Sequence, residues 1–451
     1  MTQTSQEKPL RLEATVIKRD DHHMRLSDLS PNTQRVLKTL VAHNYQAYAV
    51  GGCVRDRLLG LSPKDFDVVT NATPEQIKAC FRNCRLIGRR FRLAHITFGR
   101  EIIEVATFRG HHVEDAKDTH AKQNRDGQLI RDNIFGTIEE DAARRDFSFN
   151  AMYFDATNEN ILDFANGMHA IKHQQIEMIG DIATRIKEDP VRMLRAARFS
   201  IKLNMRIDDE MKGIIAAHAH LLANIPPARL FEEVSKLLLS GRGFKTLLSL
   251  QELGLFKVLF PILDGMLNDP KGKEQLLIQK MLKNTDERIA NDMRITPAFL
   301  YATILWYPME ERAQQLIFDT QLNPHDAMNI ASAEIIQRQV QRIMVPKRFT
   351  IVVREIWSLQ RRLQKRFGKR VFQLLSHPRF RAAYDFLLLR AEVEGGQTLE
   401  LAQWWTDFQE AKDDKRANML KALNPKSGKR PRGGKKRTKP KTETGQPSND
   451  V

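Results

Sequence analysis

The stretch Val50–Thr70, VGGCVRDRLLGLSPKDFDVVT, holds two adjacent glycines, a short helical pattern and two aspartates spaced i, i+2. The residues before it, QAYAV, read as a strand that ends on Gly51-Gly52. CVRDRLLG then reads as a helix closed by Gly60, and DFDVVT as a second strand rich in β-branched residues. Side chains alternate across a strand, so Asp65 and Asp67 are expected on one face. Two carboxylates pointing one way suit a hard divalent cation such as Mg2+, which takes phosphate oxygens as its other ligands. A lone Asp-x-Asp is also common in exposed turns. The glycines raise its weight, because their backbone lets a phosphate approach and the helix after them aims free N–H groups at an anion. Arg55, on the first turn, reads either as a charged fork for that anion or as a solvated helix residue.

Working outward, PNTQRVLKTLVAHNY (Pro31–Tyr45) has apolar residues at helical spacing. TPEQIKACF opens a helix with Thr73 as N-cap, Pro74 at the first helical position and Gln76 completing a capping box. REIIEVATF (Arg100–Phe108) reads as a strand, and Gly110 to Arg131 as a long polar loop. AARRDFSFNAMYFD leads from a helix into apolar structure. Residues 1–30 are polar and expected to be loosely ordered. After about residue 165 helical patterns dominate. In ARLFEEVSKLLLSG, Leu230, Phe231, Val234, Leu237 and Leu238 share a face between Pro226-Pro227 and Gly241. From Pro425 to Thr442 nine residues are Lys or Arg and none is acidic, which predicts a disordered basic arm.

The 451-residue chain is long enough for two or three domains, and its net charge of +17 points to a polyanionic partner. The N-terminus lacks the apolar core of a signal peptide, and PAFLYATILWYP (Pro297–Pro308) has the length of a buried helix rather than a membrane span. Three cysteines, Cys53, Cys80 and Cys84, make neither a disulfide framework nor a four-ligand zinc site. A cytoplasmic protein with no membrane insertion is expected.

GGCVRDRLLG…KDFDVVT, followed in order by EVATFR, RRDFSFNAMYFD and EDPVRMLRAARF, resembles the class II nucleotidyltransferases, the group of bacterial poly(A) polymerases and tRNA CCA-adding enzymes. The resemblance runs from about residue 48 to 200. It implies an α+β chain: a polymerase-β-like nucleotidyltransferase head with a mixed sheet, then all-α neck, body and tail regions. The expected boundaries are a polar extension over 1–30, the head over 31–165, the neck over 166–225, the RNA-binding body over 226–415 and the basic tail over 416–451. The resemblance further implies ATP or CTP as substrate, two Mg2+ ions at Asp65 and Asp67, and Gly51 and Gly52 at the nucleotide. It makes Asp146 in RRDF an active-site acid and Arg145 a ribose or phosphate contact, where the residues alone read as a helix-end ion pair. Glu104 is either a further carboxylate of the site or a glutamate paired to an arginine. Arg109 is placed within reach of the triphosphate.

In EDPVRMLRAARF, Asp189 reads first as a helix N-cap. Arg192, Arg195 and Arg198 then form a basic stripe opposite Met193, Leu194, Ala197 and Ile201. The bland reading is a solvated basic face. The resemblance instead makes Asp189 and Arg192 the reader of the incoming base. A carboxylate accepts from an exocyclic amine and a guanidinium donates to the adjacent ring nitrogen. Adenine and cytosine both present that edge, so the pair rejects G and U without separating A from C.

LIGRRFRLAHI (Leu86–Ile96) resembles the poly(A) polymerase branch of the family, with Arg89 and Arg90 as RNA or phosphate contacts or plain surface charge. The basic arm, with Lys429, Arg430, Arg432, Lys435, Lys436 and Arg437, suits any RNA 3′ end rather than one folded tRNA. In REIWSLQRRLQKRFGKRVF (Arg354–Phe372), Trp357 and Phe367 are expected in the core. The expected activity is template-independent addition of AMP from ATP to RNA 3′ ends, with pyrophosphate released. RNA turnover, RNA-decay proteins as partners and a monomeric state are implied by the resemblance. The rival readings are a CCA-adding enzyme and, more distantly, a basic RNA-binding protein with an inactive head.

Overall fold

The computed structural model describes residues 12–88, 92–110, 121–123, 129–132 and 134–423. Contacts divide the chain into two compact units, Met1–Arg354 and Glu355–Val451. The first unit carries an eight-stranded mixed sheet built from β1 (Thr15–Ile17), β2 (Ala47–Val50), β3 (Asp67–Thr70), β4 (Cys84–Ile87), β5 (Leu93–Phe98), β6 (Glu101–Thr107), β9 (Met152–Asp155) and β10 (Ile161–Asp163). Two further strands, β7 (Ala121–Gln123) and β8 (Leu129–Asp132), pair only with each other, inside the segment expected to be a polar loop. The order is β1-β10-β9-β2-β3-β6-β5-β4. β3 and β6 are parallel neighbours, and the other neighbouring pairs in this sheet are antiparallel.

One row across this sheet positions the chemistry. Tyr153, Val50, Asp67, Glu104 and His95 are successive cross-strand partners, and Tyr48, Val69 and Ala106 follow two residues further along on the same face. The sheet is covered there by α4 (Ile138–Ala143). Val50, Val69, Phe108, Ile138, Ala142, Tyr153 and Phe164 form one buried cluster between helix and sheet.

The helices of the head are α1 (Pro31–Ala42), α2 (Gly52–Leu58) and α3 (Pro74–Cys80), besides α4. α3 has the expected capping box, with Gln76 N donating to the Thr73 hydroxyl at 3.3 Å and Thr73 N to the Gln76 Oε1 at 2.8 Å. Among the described residues every regular element after Asp163 is helical. α5 (Gly167–His173), α6 (Ile182–Glu188), α7 (Val191–Leu203), α8 (Asp209–His218) and α9 (Pro227–Leu238) come first, followed by α10 (Gly243–Glu252), α11 (Leu255–Leu259), α12 (Lys273–Ala290), α13 (Pro297–Ile304), α14 (Trp306–Thr320) and α15 (Pro324–Arg342). Five more, α16 (Lys347–Gln364), α17 (Arg370–Leu375), α18 (Phe380–Glu394), α19 (Gly396–Glu410) and α20 (Asp413–Leu423), complete the set. α9 buries Leu230, Val234, Leu237 and Leu238 as its spacing predicts. No helix among the described residues is long and apolar enough to cross a membrane.

Besides the β7–β8 pair, the fold departs from the sequence reading in three further places. The N-terminal segment is ordered from Leu12 onward: β1 adds to the free edge of β10, and the Arg19 amide donates to the Asn160 side chain at 3.0 Å. The strand read from DFDVVT begins only at Asp67. Its partner β2 reaches Val50, opposite Asp67, and then leaves the sheet through the diglycine turn, so Asp65 has no strand beside it on that side. The run PAFLYATILWYP divides at Leu305 between α13 and α14.

Candidate active site

Asp67 stands at the first position of β3 with Glu104 beside it on β6. Its carboxyl is pushed up to about 6, first by burial, next by the Glu104 charge, with Asp65 adding to the rise and Arg145 opposing it. Solvent still reaches the side chain, so these are groups in the open mouth of a cleft and not in a sealed interior. Asp65, one step before the strand, is exposed. Glu104 takes a contact from His95 Nε2 at 3.3 Å. Glu104 neighbours Asp67 across the parallel strand pair, and among the described residues no arginine is ion-paired with it. Two carboxylates thus act on Asp67 here, with the Arg145 guanidinium opposing them.

Gly51 begins the turn above them with φ 71° and ψ −121°, a conformation L side chains rarely adopt. A Cβ at this position would lie 3.3 Å from Arg145 Nη1 and 3.8 Å from the Asn150 carbonyl. Replacing Gly51 with Ala is expected to cost about 1–3 kcal/mol of stability through that backbone strain. Chemical denaturation of the variant measures it. Gly52 is the first residue of α2.

Arg145 is held by three partners: Asp141 Oδ2 (2.9 and 3.2 Å), the Tyr153 hydroxyl (3.0 Å) and the Asn150 carbonyl (3.2 Å). Tyr153 in turn donates to Asp141 at 2.7 Å. Burial alone would weaken the charge on Arg145, but Tyr153 and Asp141 outweigh it and keep the guanidinium protonated. This network ties α4 to the sheet row that carries Asp67.

Beside it opens a cavity of about 390 Å³, with Val69 and Ala106 on its sheet side. Six arginines line it (Arg109, Arg144, Arg145, Arg192, Arg195 and Arg229) against three aspartates, Asp141, Asp146 and Asp189. Crowding shows in their ionisation. Burial, then Arg109 and Arg185, pull Arg144 down to about 10. Arg109 is lowered too, first by burial, while Asp141 opposes the shift. Cations packed this densely form a strong anion site.

Asp146 has both oxygens engaged. Oδ1 accepts from the Phe147 amide and from Asn150, each at 2.9 Å, and Oδ2 pairs with Arg195 at 2.5 Å. Burial tends to raise its pKa, but Arg195 and these donors prevail, so the carboxyl sits below its ordinary value. It lines the cavity as the anchor of Arg195. Asp189 is not the N-cap read from sequence: it closes α6, and Pro190 stands at the N-cap of α7. Asp189 Oδ1 accepts from the Val191 amide at 3.3 Å while Oδ2 takes Arg229 Nη2 at 2.7 Å. Arg192 donates to the Arg185 carbonyl at 2.6 Å and to Glu188 at 2.8 Å.

The arginine stripe of α7 is thus a set of held side chains and not a solvated face. Arg192 is buried, Arg195 is bound to Asp146, and Arg198 lies over the Phe199 ring with Glu233 at 3.9 Å. Phe199 joins Phe147 and Phe149 in a cluster with ring centroids 5.5–5.6 Å apart, which seats α7 against the head. Arg55 needs a correction. It is neither an open fork at the diglycine turn nor solvated, because it is buried over Phe199 and Phe149 and spends its donors on Asp56 and Asn150. Arg89, Arg90, Lys429, Arg430, Arg432, Lys435, Lys436 and Arg437 lie outside the described residues.

Asp141, Arg144 and Arg229 were not singled out by the sequence reading. Asp141 lies four before Arg145 on a helical pattern, Arg144 is the first half of the RRDF pair, and Arg229 sits in IPPARLFEE. The i, i+4 spacing was the available signal for the first of these.

Comparison with known proteins identifies the family. The family described as "Poly A polymerase head domain" matches residues 47–177, "Probable RNA and SrmB- binding site of polymerase A" matches 204–267, and "Polymerase A arginine-rich C-terminus" matches 320–442. Poly(A) polymerase I of Escherichia coli O6:H1 is 48% identical over 432 residues, covering 95% of this chain and 93% of the relative. The Haemophilus influenzae protein of the same name is 46% identical over 94% of this chain and 95% of its own. A Bacillus licheniformis CCA-adding enzyme reaches 34% over 53% of this chain and 58% of its own. Among solved structures, the Bacillus stearothermophilus CCA-adding enzyme in complex with CTP shares the fold with a TM-score of 0.53 at 24% identity, covering 85% of this chain and 83% of that one. The Thermotoga maritima CCA-adding enzyme complexed with tRNA shares it with a TM-score of 0.56 at 18% identity, covering 91% and 99%. With near-complete coverage by such relatives and a head, an RNA-binding region and an arginine-rich C-terminus in the matching order, the chain belongs to the poly(A) polymerase I family.

Proposed function

We propose that this chain extends RNA 3′ ends with AMP taken from ATP, without a template, and that the arginine-lined cavity receives the nucleotide. The observation that carries the reading is the meeting of two opposite charge clusters. Six arginines converge on one cavity, and the Asp67–Glu104 pair stands on the same sheet face as the cavity's Val69 and Ala106. Nucleotidyl transfer needs this division: cations for a triphosphate, carboxylates for a hard metal.

The donor set fits Mg2+. The carboxylates are hard oxygen donors, and burial, then the Glu104 charge, raises the Asp67 carboxyl to about 6, a penalty that a bound cation would offset. Among the described residues no group of three or more His, Cys, Asp or Glu is placed to hold a metal ion. Mg2+ takes phosphate and water oxygens as its other ligands. Asp65 and Asp67 would hold two Mg2+ ions, with Glu104 as a further carboxylate, to activate the RNA 3′-hydroxyl and stabilise the departing pyrophosphate.

The chain's own groups do the rest. In the transfer, the 3′-oxygen bonds to the α-phosphorus while the bond to the bridging oxygen of the β-phosphate breaks. Arg109, Arg144 and Arg145 meet the negative charge that spreads over the phosphates, and an anion offsets the burial, and behind it the neighbouring cations, that depress Arg109 and Arg144. Gly51 lets the backbone approach without a side chain in the way. Arg192 and Asp189 read the base edge, each held in one orientation by Glu188 and Arg229. Pre-set donors of this kind favour one base shape over another.

Incubation with each nucleoside triphosphate in turn, with Mg2+ and an RNA primer unrelated to tRNA, tests this. ATP alone is expected to give products many residues longer than the primer. Incorporation that needs CTP and stops after a fixed short addition would establish the CCA-adding reading. No incorporation at all would leave an RNA-binding protein.

A further inference from the structure

We propose that the α16–α17 corner of the second unit is a stacking site for single-stranded RNA, with Phe367 as its platform and Phe372 as its neighbour. The inference rests on the RNA-tailing reading and names a contact surface outside the catalytic cavity. From Ile356 to Tyr384 the chain has no acidic residue, yet eight are Lys or Arg. Six of these, Arg361, Arg362, Lys365, Arg366, Lys369 and Arg370, flank the turn between the two helices. Among the described residues none of the six is ion-paired, in contrast to the arginines of α7. Arg361 also carries a buried Nη1 with no hydrogen-bond partner.

Two large aromatic side chains stand in this field. Phe367 is 44% exposed and Phe372 is 45% exposed, whereas Trp357, on the same stretch, is fully buried. The sequence reading placed Phe367 in the core with Trp357; the structure corrects it. The core of this unit is already filled by Leu363, Val371, Leu374, Phe380 and Trp405, and Phe367 falls on the turn, outside that cluster. Gly368 follows it at φ 62° with open space around it, so both the ring and the backbone beside it are accessible. Arginine already uses these rings as a flat partner. Arg370 lies 5.2 Å from the Phe367 centroid and Arg366 lies 5.4 Å from the half-buried Trp404.

An exposed ring edged by unpaired guanidinium and ammonium groups matches single-stranded RNA in both of its chemistries. A base has a π-face for the ring, and the phosphates on either side of it meet the cations. The charge excludes an acidic-poor apolar peptide as the favoured occupant, and the exposed ring excludes duplex RNA, whose bases are already stacked. The site recognises no particular base, because every base offers a face.

The test is binding of a fluorescent oligo(A) to the full chain without nucleotide, across a series of salt concentrations. Phe367→Ala, or Phe367→Ala with Phe372→Ala, is expected to weaken binding about five-fold or more with an unchanged salt slope. Phe367→Trp should restore it. Lys365→Ala with Lys369→Ala should flatten the slope. AMP transfer to saturating primer should stay at the parent rate in all of them. Affinity for oligo(A) unaltered in the double phenylalanine variant overturns the proposal, including the case where that surface serves a protein partner. An equal loss on duplex RNA of the same length overturns it too. Because binding is read without ATP, failure of the platform is distinguishable from failure of the tailing activity.

Discussion

Asp67→Asn is expected to lower AMP transfer by about a thousand-fold or more, equivalent to roughly 4 kcal/mol of lost transition-state stabilisation. RNA affinity should stay unchanged. The same substitution should make the protein slightly more stable at pH 7–8. The folded-state pKa of Asp67 lies above its ordinary value, at about 6, so its charged form is disfavoured by folding. That penalty is fully present above pH 6 and fades as the pH falls below it toward 4. Removing the charge therefore stabilises at neutral pH and has little effect near pH 4. The gain is expected to stay under about 1 kcal/mol, because the side chain remains open to solvent and its interactions are screened. Primer extension and thermal melts at pH 4.5 and 8 measure the two effects. A variant that is both inactive and less stable at pH 8 would mean that Asp67 is a structural residue.

Asp146→Ala should have the largest effect on stability, a loss of about 1.5–3 kcal/mol, because it leaves Arg195, whose side chain is 33% exposed, without its ion-pair partner. The double variant Asp146→Ala, Arg195→Ala should recover part of that loss, since no lone charge remains. The wild-type pair also has a pH signature. Asp146 is held below its ordinary pKa, so its stabilising contribution is complete at neutral pH. It is lost as the pH falls from the ordinary carboxylate range through the lower folded-state value. Urea titrations of the single and double variants measure these terms. Additive losses would show that the two side chains do not depend on each other.

The sequence shows most clearly what is local. The diglycine turn, the helix after it, the capping box of Thr73 and the apolar face of α9 each follow from residues within a dozen positions. Glu104 was a candidate because it sat on a strand, but the parallel pairing of β3 and β6 that sets it beside Asp67 joins residues 37 apart. No periodicity encodes such a pairing. Arg55 shows the opposite failure. At the first turn of a helix after two glycines it looks like an anion ligand, and only the distant Phe149, Asn150 and Phe199 explain why it is buried. The α7 stripe was visible as charge, whereas its partners come from α4–β9, α6 and α9. Asp65 left the strand because its neighbour ended, a property of the partner and not of DFDVVT itself.

Arg185, on α6, donates to the main-chain carbonyls of Arg144 and Arg145 at 2.8 and 2.6 Å. This fastens α6 to the backbone of two of the cavity's arginines. A fragment ended after Phe164 would retain every strand and still lose the latch, along with Asp189, Arg192 and Arg195. The head of this chain is consequently not interchangeable at the sheet's end: a chimera that swaps heads must carry α6 and α7 across with it, or inherit the arginine-lined cavity with one wall missing.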